Sequence, residues 1–168
     1  MKDSLQPGLK FEFQFPVPET KTVPYLFPES PEFQLMPRVL ATGYMVGLFE
    51  WACIQALNPH LDWPREQTVG IHVDLDHTAA TPPGLVVTVR GTLTQVEGRK
   101  LTFALEADDG VDRISQGHHV RFVIDAAKFN AKVEAKARPA GAGDFPAVRP
   151  FLGRGWLKKA RIADIIIR

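Results

Sequence analysis

The sequence contains a single cysteine, Cys53, so no disulfide can form within one chain of 168 residues. A lone cysteine inside an apolar segment is typical of a protein that folds in a reducing compartment, and we interpret Cys53 as a packing residue. The first residues, MKDSLQPGLKFEF, lack the continuous apolar stretch of a signal peptide, and no apolar run reaches the length of a membrane span. We therefore expect a cytoplasmic protein with no membrane partner.

An excess of either charge is also lacking. Lysine and arginine together number 20 against 19 for aspartate and glutamate, which gives a formal net charge of +1. No long-range field would therefore attract nucleic acid or an anionic surface, and we expect no nucleic-acid partner. The length and the hydrophobic fraction of 45% suit one soluble globular domain.

One segment is nearly free of charge: between residues 39 and 61 the only formally charged side chain is Glu50. A helix that is apolar around most of its circumference is buried, and a carboxylate inside it is costly unless another group pairs with it or water hydrates it. Acids in such surroundings serve as catalytic bases and nucleophiles. Glu50 is thus the first candidate for chemistry, and an ion pair across an interface is the alternative.

The hydrophobic periodicity predicts an α+β fold with one long helix and five strands. The helix is predicted over residues 39–57, where it ends at Asn58 and Pro59, and Thr42 is able to cap its N-terminus. Strands are predicted over residues 10–15, 68–76, 85–96, 101–107 and 111–125. Gly117 in the last strand is predicted to be a bulge or a point of close approach. This order predicts a curved antiparallel sheet that wraps the helix.

Two further segments differ in composition. Residues 23–36, VPYLFPESPEFQLM, combine three prolines with large apolar side chains, which favours a cover or lid. Residues 137–143, ARPAGAG, have the composition of a linker. We therefore predict a domain over residues 1–139 and a linker with a C-terminal tail over 140–168. The tail is predicted to form a short helix from about Trp156 and to dock on its own domain or on a partner subunit.

Thr42, Val46 and Glu50 share one face of the predicted helix, with Gly43 and Gly47 beside them. The two glycines allow another chain segment or a ligand to approach closely. Along the axis Thr42 and Glu50 are about 12 Å apart if both are helical. They can therefore meet only if Thr42 folds back from the preceding turn, or through a substrate or a neighbouring subunit. A capping threonine and an interfacial glutamate remain the alternative.

The segment VGIHVDLDHTAATPPG places several polar side chains on one predicted strand. His72, Asp74 and Asp76 share one face, and His77 turns to the other face just before a loop of small residues. An imidazole at that position is accessible to a substrate. The alternative for His77 is a structural histidine with satisfied hydrogen bonds.

A metal site made by His72, Asp74 and either His118 or His119 has suitable ligand types, but the residues have no recognised metal-binding spacing. We therefore expect no metal. The sequence also contains no Walker loop, dinucleotide fingerprint or nucleophile elbow. From the residues alone, the prediction stops at an acid, a base and a hydroxyl around one helix face.

Six segments resemble the hotdog-fold thioesterases, specifically the fluoroacetyl-CoA thioesterase group. The segments are KTVPYLFPESPEF, ATGYMVGLFEWAC, HTAATPPGL, VEGRKL, DDGVDRISQGHHVR and KFNAKV. The likeness extends from Met1 to about Pro139, in order and nearly without gaps. It implies a hotdog fold, a homodimer that joins two sheets, and hydrolysis of a small acyl-CoA, such as fluoroacetyl-CoA, bound between the subunits. It implies no cofactor, because CoA is part of the substrate.

By this resemblance Thr42, Glu50 and His77 occupy the catalytic positions. Glu50 would be the nucleophile or the general base, His77 a base that orients the reacting group, and Thr42 a hydroxyl that positions substrate or water. Gly70 matches a glycine whose backbone meets the acyl-thioester region, and Arg121 matches an arginine that contacts substrate. Without the resemblance, Gly70 would be interpreted as a strand bulge and Arg121 as a surface charge.

The lid departs from the family pattern at one position. The fluoroacetyl-selective members carry paired phenylalanines, and the matching residues here are Phe33 and Met36. Methionine is longer and more flexible than phenylalanine. The resemblance therefore supports thioester hydrolysis by this chain more strongly than it supports selectivity for a fluorinated substrate. Two alternative functions use the same cavity: a non-catalytic module that binds or senses acyl-CoA, and a hotdog acyl-CoA dehydratase.

Overall fold

The computed structural model describes residues 1–137. Residues 138–168 are outside the described part of the chain. The predicted domain boundary after residue 139, almost all of the predicted linker and the predicted helix from Trp156 therefore lie outside the described residues. Met1–Val133 form one compact unit, and Glu134–Ala137 are the last turn of a helix that begins within it.

The sheet has five antiparallel strands in the order β1-β3-β4-β5-β2. The strands are β1 Lys10–Pro16, β2 Glu66–Leu75, β3 Val86–Glu97, β4 Lys100–Asp108 and β5 Arg113–Asp125. All five predicted strands are present, and β3, β4 and β5 form a meander. β1 and β2 are the two edge strands. The predicted α+β architecture is confirmed.

The long helix α2, Thr42–Leu57, supplies the other half of the core. One face is buried against the sheet because apolar residues recur every three or four positions. The buried residues of this face are Met45, Leu48, Phe49, Ala52, Cys53 and Leu57. They pack against sheet residues such as Val87, Leu93, Phe103 and Val123. The sheet therefore covers one side of α2, and the side that carries Gly47 and Trp51 stays exposed.

The start of α2 differs from the sequence prediction. Residues 39–41 are not helical, because Leu40 and Ala41 are held by backbone hydrogen bonds to Thr81 and Lys21, of 2.8 and 3.1 Å. Ala41 is the N-cap residue and is extended, so Thr42 is the first helical residue. The prediction that Thr42 caps the helix is therefore wrong, and its hydroxyl is available for another contact.

The predicted lid is a broken segment of turns with one short helix. Val23–Tyr25 form a 3-10 turn, and Pro31–Gln34 form α1, whose N-terminus is capped by the Ser30 side chain. The Tyr44 hydroxyl of α2 donates a hydrogen bond of 2.9 Å to the Tyr25 carbonyl. The Leu26 side chain lies 3.2 Å from the position that a Cβ on Gly43 would occupy. The lid thus rests on the first turns of α2.

The sequence analysis missed one helix, α3 at Ala126–Ala137. Its composition, AAKFNAKVEAKA, favours a helix because alanine and lysine have high helix propensity. The Asp125 carboxylate accepts a 3.0 Å hydrogen bond from the Lys128 backbone and so starts the helix directly where β5 ends. None of the helices within residues 1–137 is long and apolar enough to cross a membrane.

Candidate active site

An irregularity in β2 forms the wall of the candidate site. The register between β2 and β5 shifts between Gly70 and His72, so Ile71 has no partner of its own in the ladder. Such a bulge redirects the backbone and side chains that follow it. Gly70 therefore lies at a strand bulge, as its alternative interpretation predicts.

Gly70 also makes room for the Glu50 carboxylate. A Cβ on Gly70 would lie 2.4 Å from Glu50 Oε1 and 3.0 Å from Cε1 of His119. Contacts that short do not occur, so any larger residue at this position would push the carboxylate away. The carboxylate and the His119 ring lie against the bare backbone of β2.

Glu50 is paired with a buried cation. Arg121 Nη1 donates a hydrogen bond of 3.3 Å to Glu50 Oε1. The Arg121 side chain is only 2% exposed, whereas the Glu50 side chain is 41% exposed. The Glu50 carboxylate therefore lies at the edge of the core, and the buried Arg121 guanidinium compensates its charge from the interior. The alternative interpretation of Arg121 as a surface charge is wrong.

The other donors of Arg121 are also used within the chain. Nε donates to Thr68 Oγ1 at 2.9 Å, and Nη2 donates to the Thr68 carbonyl at 2.8 Å. Nη1 also lies 3.0 Å from His119 Nε2. Burial lowers the pKa of Arg121, and the neighbouring Glu50 charge opposes that effect. In this structure the hydrogen bonds of Arg121 go to Glu50, Thr68 and His119.

His119 is the buried centre of this network, with an exposed fraction of 1%. Its Nδ1 lies 2.9 Å from the carbonyl oxygen of His72, which can only accept, so Nδ1 carries the proton and Nε2 is free to accept from Arg121. Burial lowers the pKa of His119, which favours this neutral form. The sequence analysis considered His119 only as a metal ligand. The signal it missed is the period of two that puts His119 and Arg121 on one face of β5.

A second pair of side chains lies at the start of α2. The Thr42 hydroxyl is 2.8 Å from Nδ1 of His77, which follows β2. Burial lowers the pKa of His77, so the ring is neutral near pH 7 and can accept the hydroxyl proton at Nδ1. Its Nε2 is buried and makes no hydrogen bond to the residues that the structure describes. The helix start thus places a hydroxyl and a neutral imidazole within hydrogen-bond distance of each other.

The two pairs are separate within one chain. Thr42 and Glu50 are both helical, so about 12 Å of helix axis lies between them. The structure brings Thr42 to His77, and it brings Glu50 to Gly70 and Arg121. It does not bring the threonine to the glutamate, and the possibility that Thr42 folds back from a preceding turn is excluded by its helical position.

The two predicted specificity residues lie in the lid. Phe33, in α1, is half-buried and packs edge-on against Phe27 with ring centroids 5.1 Å apart. Met36 follows α1 and is 51% exposed. The aromatic pair fixes one side of the lid, whereas the methionine side chain is free to change its conformation.

Neither a thiol nor a metal centre competes with this site in the described part of the chain. Burial raises the pKa of Cys53 to about 12, so its thiol stays protonated and serves as packing. Within residues 1–137 no group of three or more His, Cys, Asp or Glu side chains is arranged to hold a metal ion. The expectation that the reaction needs neither a metal nor a separate cofactor stays a prediction.

Comparisons with known proteins identify the family. The family model described as fluoroacetyl-CoA-specific thioesterase matches residues 25–127. A curated fluoroacetyl-CoA thioesterase from Streptantibioticus cattleyicolor is 54% identical over 141 residues, which are 84% of this chain and 100% of that protein. The chain belongs to the fluoroacetyl-CoA-specific thioesterase family. The family resemblance found in the sequence is thus confirmed, and the chain is a thioester hydrolase by family.

Solved structures agree with this placement. A threonine-to-serine mutant of the fluoroacetyl-CoA thioesterase FlK, in complex with acetyl-CoA, is 52% identical with a TM-score of 0.77, and the match covers 79% of this chain and 98% of that one. A Thermus thermophilus hypothetical protein, a thioesterase superfamily member, is 25% identical with a TM-score of 0.71 and coverages of 82% and 97%. The predicted hotdog fold is confirmed.

The Gly70→Ala variant tests the close approach of β2 to Glu50. We expect a folded protein whose carboxylate is displaced, because the new methyl group would occupy the position of Oε1. A displacement of this kind lowers kcat by about 100-fold. Thiol release from acyl-CoA measures it, with Gln67→Ala, elsewhere in the same strand, as the control. An alanine variant with unchanged kcat would show that the contact does not matter.

Proposed function

We propose that this protein hydrolyses the thioester of a small acyl-CoA, such as fluoroacetyl-CoA, to the free acid and CoA. One observation carries the proposal: Glu50 is 41% exposed while the Arg121 guanidinium that holds it is 2% exposed. A charge compensated from the interior and accessible from outside is suited to react with a bound molecule. An ion pair that served only stability would have no need for this asymmetry.

The proposed reaction needs an attacking oxygen, a proton acceptor and stabilisation of the oxyanion. Glu50 either activates a water or attacks the thioester carbon itself. The attacking oxygen forms the new C–O bond and gives a tetrahedral oxyanion, which collapses as the C–S bond breaks and the CoA thiolate leaves. If Glu50 itself attacks, water then hydrolyses the mixed anhydride, which releases the free acid and restores the carboxylate. In either route the thiolate takes up a proton that the water supplies. His77, paired with Thr42, supplies a base and orients the reacting group. The first backbone amides of α2 are suitable donors for the oxyanion, because the Ala41 side chain does not cap them. About 12 Å of helix separates these amides and Thr42 from Glu50, so the ones that serve the same thioester would come from a second subunit.

We further propose that the active form is a homodimer joined at β2. Edge strands with apolar, unprotected faces pair readily with another strand. In β2, Ile71 and Val73 are 53% and 41% exposed. The opposite edge, β1, has the alternating exposed residues Lys10, Glu12 and Gln14, which protect it from pairing. A second copy on the β2 edge would stand beside Gly70 and Glu50, so that the thioester would lie at the subunit junction.

In the cell we place the enzyme in the cytoplasm, where the free thiol of Cys53 stays reduced. No metal, nucleic acid or membrane takes part in the proposed reaction. Coenzyme A enters and leaves with the substrate.

The Glu50→Gln and His77→Ala variants test the assignment. Each keeps the fold but removes a proton acceptor, so we expect turnover to fall by about 100- to 10,000-fold. The assay follows free thiol from acetyl-, fluoroacetyl- and longer acyl-CoA esters, with the exposed Glu106→Gln as the matched control. Full activity in either variant would refute the assignment. Tight binding without thiol release would instead indicate a binding module, and a change in acyl absorbance without free thiol would indicate a dehydratase.

The Ile71→Lys variant tests the dimer. A lysine at the exposed bulge position would place two like charges across the proposed junction and cost about tenfold or more in association. We expect sedimentation to report a dimer for the native protein and a shift toward the monomer for the variant, together with a loss of turnover. Val111→Lys, at a residue that is 76% exposed in a loop, is the control. A native monomer with full activity would contradict the proposal.

The Met36→Phe variant tests the lid. We expect the rigid ring to narrow the acyl pocket and to raise the ratio of kcat/KM for fluoroacetyl-CoA over acetyl-CoA by about tenfold, the discrimination that one well-placed contact provides. Leu35→Phe, at a neighbouring side chain that is 88% exposed, is the control. An unchanged ratio would mean that residue 36 does not set the selectivity.

A further inference from the structure

The buried network around Arg121 contains a histidine to which the proposed mechanism gives no role. Four N–H groups of Arg121 are used: two by Thr68, one by Glu50 and one by His119. A buried guanidinium needs such acceptors, because each N–H left unpaired in the core is costly. His119 is the acceptor that shares Nη1 with Glu50.

The protonation of His119 is fixed by the backbone of β2. The carbonyl of His72, the residue that follows the bulge, accepts from Nδ1 at 2.9 Å. The ring must then present the lone pair of Nε2 to Arg121. Gly70 provides the space for this arrangement, because a Cβ there would lie 3.0 Å from the His119 ring. The bulge, the glycine and the histidine therefore form one unit.

The shared Nη1 limits how Arg121 can bind Glu50. A guanidinium and a carboxylate prefer a two-point pairing that uses both carboxylate oxygens. Here Arg121 gives Glu50 a single hydrogen bond of 3.3 Å to Oε1, while the second proton of Nη1 goes to His119. Among the described residues, Oε2 of Glu50 receives no hydrogen bond from Arg121. This is the oxygen that can activate water or attack the thioester.

We propose that His119 is a positioning residue: its Nε2 holds Arg121 in a single-point contact with Glu50, so that one carboxylate oxygen stays free to react. The role of that oxygen rests on the proposed thioester hydrolysis. His119 Nε2 lies 3.9 Å from Glu50 Oε1, beyond hydrogen-bond distance, so it acts on the carboxylate through Arg121. Thr68 fixes the other side of the same guanidinium.

Kinetics of two His119 variants test the proposal. Leucine removes the acceptor, and we expect kcat to fall about 10- to 100-fold while KM changes less than about threefold, as for loss of one buried hydrogen bond that acts in the transition state. His119→Gln keeps an acceptor near the position of Nε2 and should stay within about fivefold of the native kcat. His118→Leu makes the same change one residue earlier, at an exposed position, and should be neutral. Equal losses in the leucine and glutamine variants, or no loss in the leucine variant, would overturn the proposal.

Two measurements do not depend on turnover. Nitrogen-15 NMR of the native protein should show His119 with its proton on Nδ1, and a ring protonated on Nε2 or on both nitrogens would overturn the proposal. A crystal structure of His119→Gln should keep the single contact between Arg121 and Glu50, whereas that of His119→Leu should show both oxygens of Glu50 bound.

Thr68→Val provides a second route if the leucine variant does not fold. Valine keeps the shape of threonine and removes the acceptor of Nε, so we expect the same fall in kcat with unchanged KM. A native-like kcat in this variant would contradict the role of the network. If the native protein releases no thiol from any acyl-CoA ester, the proposed function is wrong, and the NMR result alone decides whether His119 holds Arg121 as described.

Discussion

The buried guanidinium of Arg121 is the constraint on which the rest of the site depends. A cation that is 2% exposed must have acceptors in its surroundings, and each acceptor fixes a different element. Thr68 fixes the start of β2, His119 fixes β5 against the bulge, and Glu50 fixes the outer side of α2. The one acidic side chain in an otherwise apolar helix is therefore explained by a partner on the sheet.

This arrangement separates the stability of the ion pair from its reactivity. The cation bears most of the desolvation, whereas the carboxylate remains accessible at the rim, and water screens it there. Compensating a reactive carboxylate from inside the core keeps the outer side clear for a substrate. The Thr42–His77 pair differs from the Glu50–Arg121 pair because it carries no charge that the interior must compensate. It lies about two helical turns from Glu50.

The sequence predicted the strands and the central helix well. The strands alternate apolar and polar residues, and the helix is a long apolar segment that ends at Asn58 and Pro59. The sequence predicted the start of α2 wrongly, since the backbone hydrogen bonds that keep residues 39–41 extended come from distant segments. It did not predict α3, a helix that is favoured mainly by the high helix propensity of its alanines and lysines. Residue patterns alone could not identify the partner of Glu50, because that contact depends on how the strands lie against α2. Gly70 indicates a bulge, but it does not show which side chain lies opposite Glu50. The family resemblance named Arg121, but assigned it to substrate, whereas here its bonds go to Glu50, Thr68 and His119.

The bulge in β2 connects the chemistry of the site to the proposed assembly. It exposes the His72 carbonyl to His119, leaves Gly70 bare against Glu50, and turns Ile71 outward at an edge of the sheet. A regular strand would instead give Ile71 a partner in the ladder and would shift the residues that follow it by one position against β5. The residue that shapes the carboxylate pocket therefore lies beside the surface where a second subunit would bind. In such an arrangement the same one-residue shift would lie beside both the Glu50 carboxylate and the subunit junction.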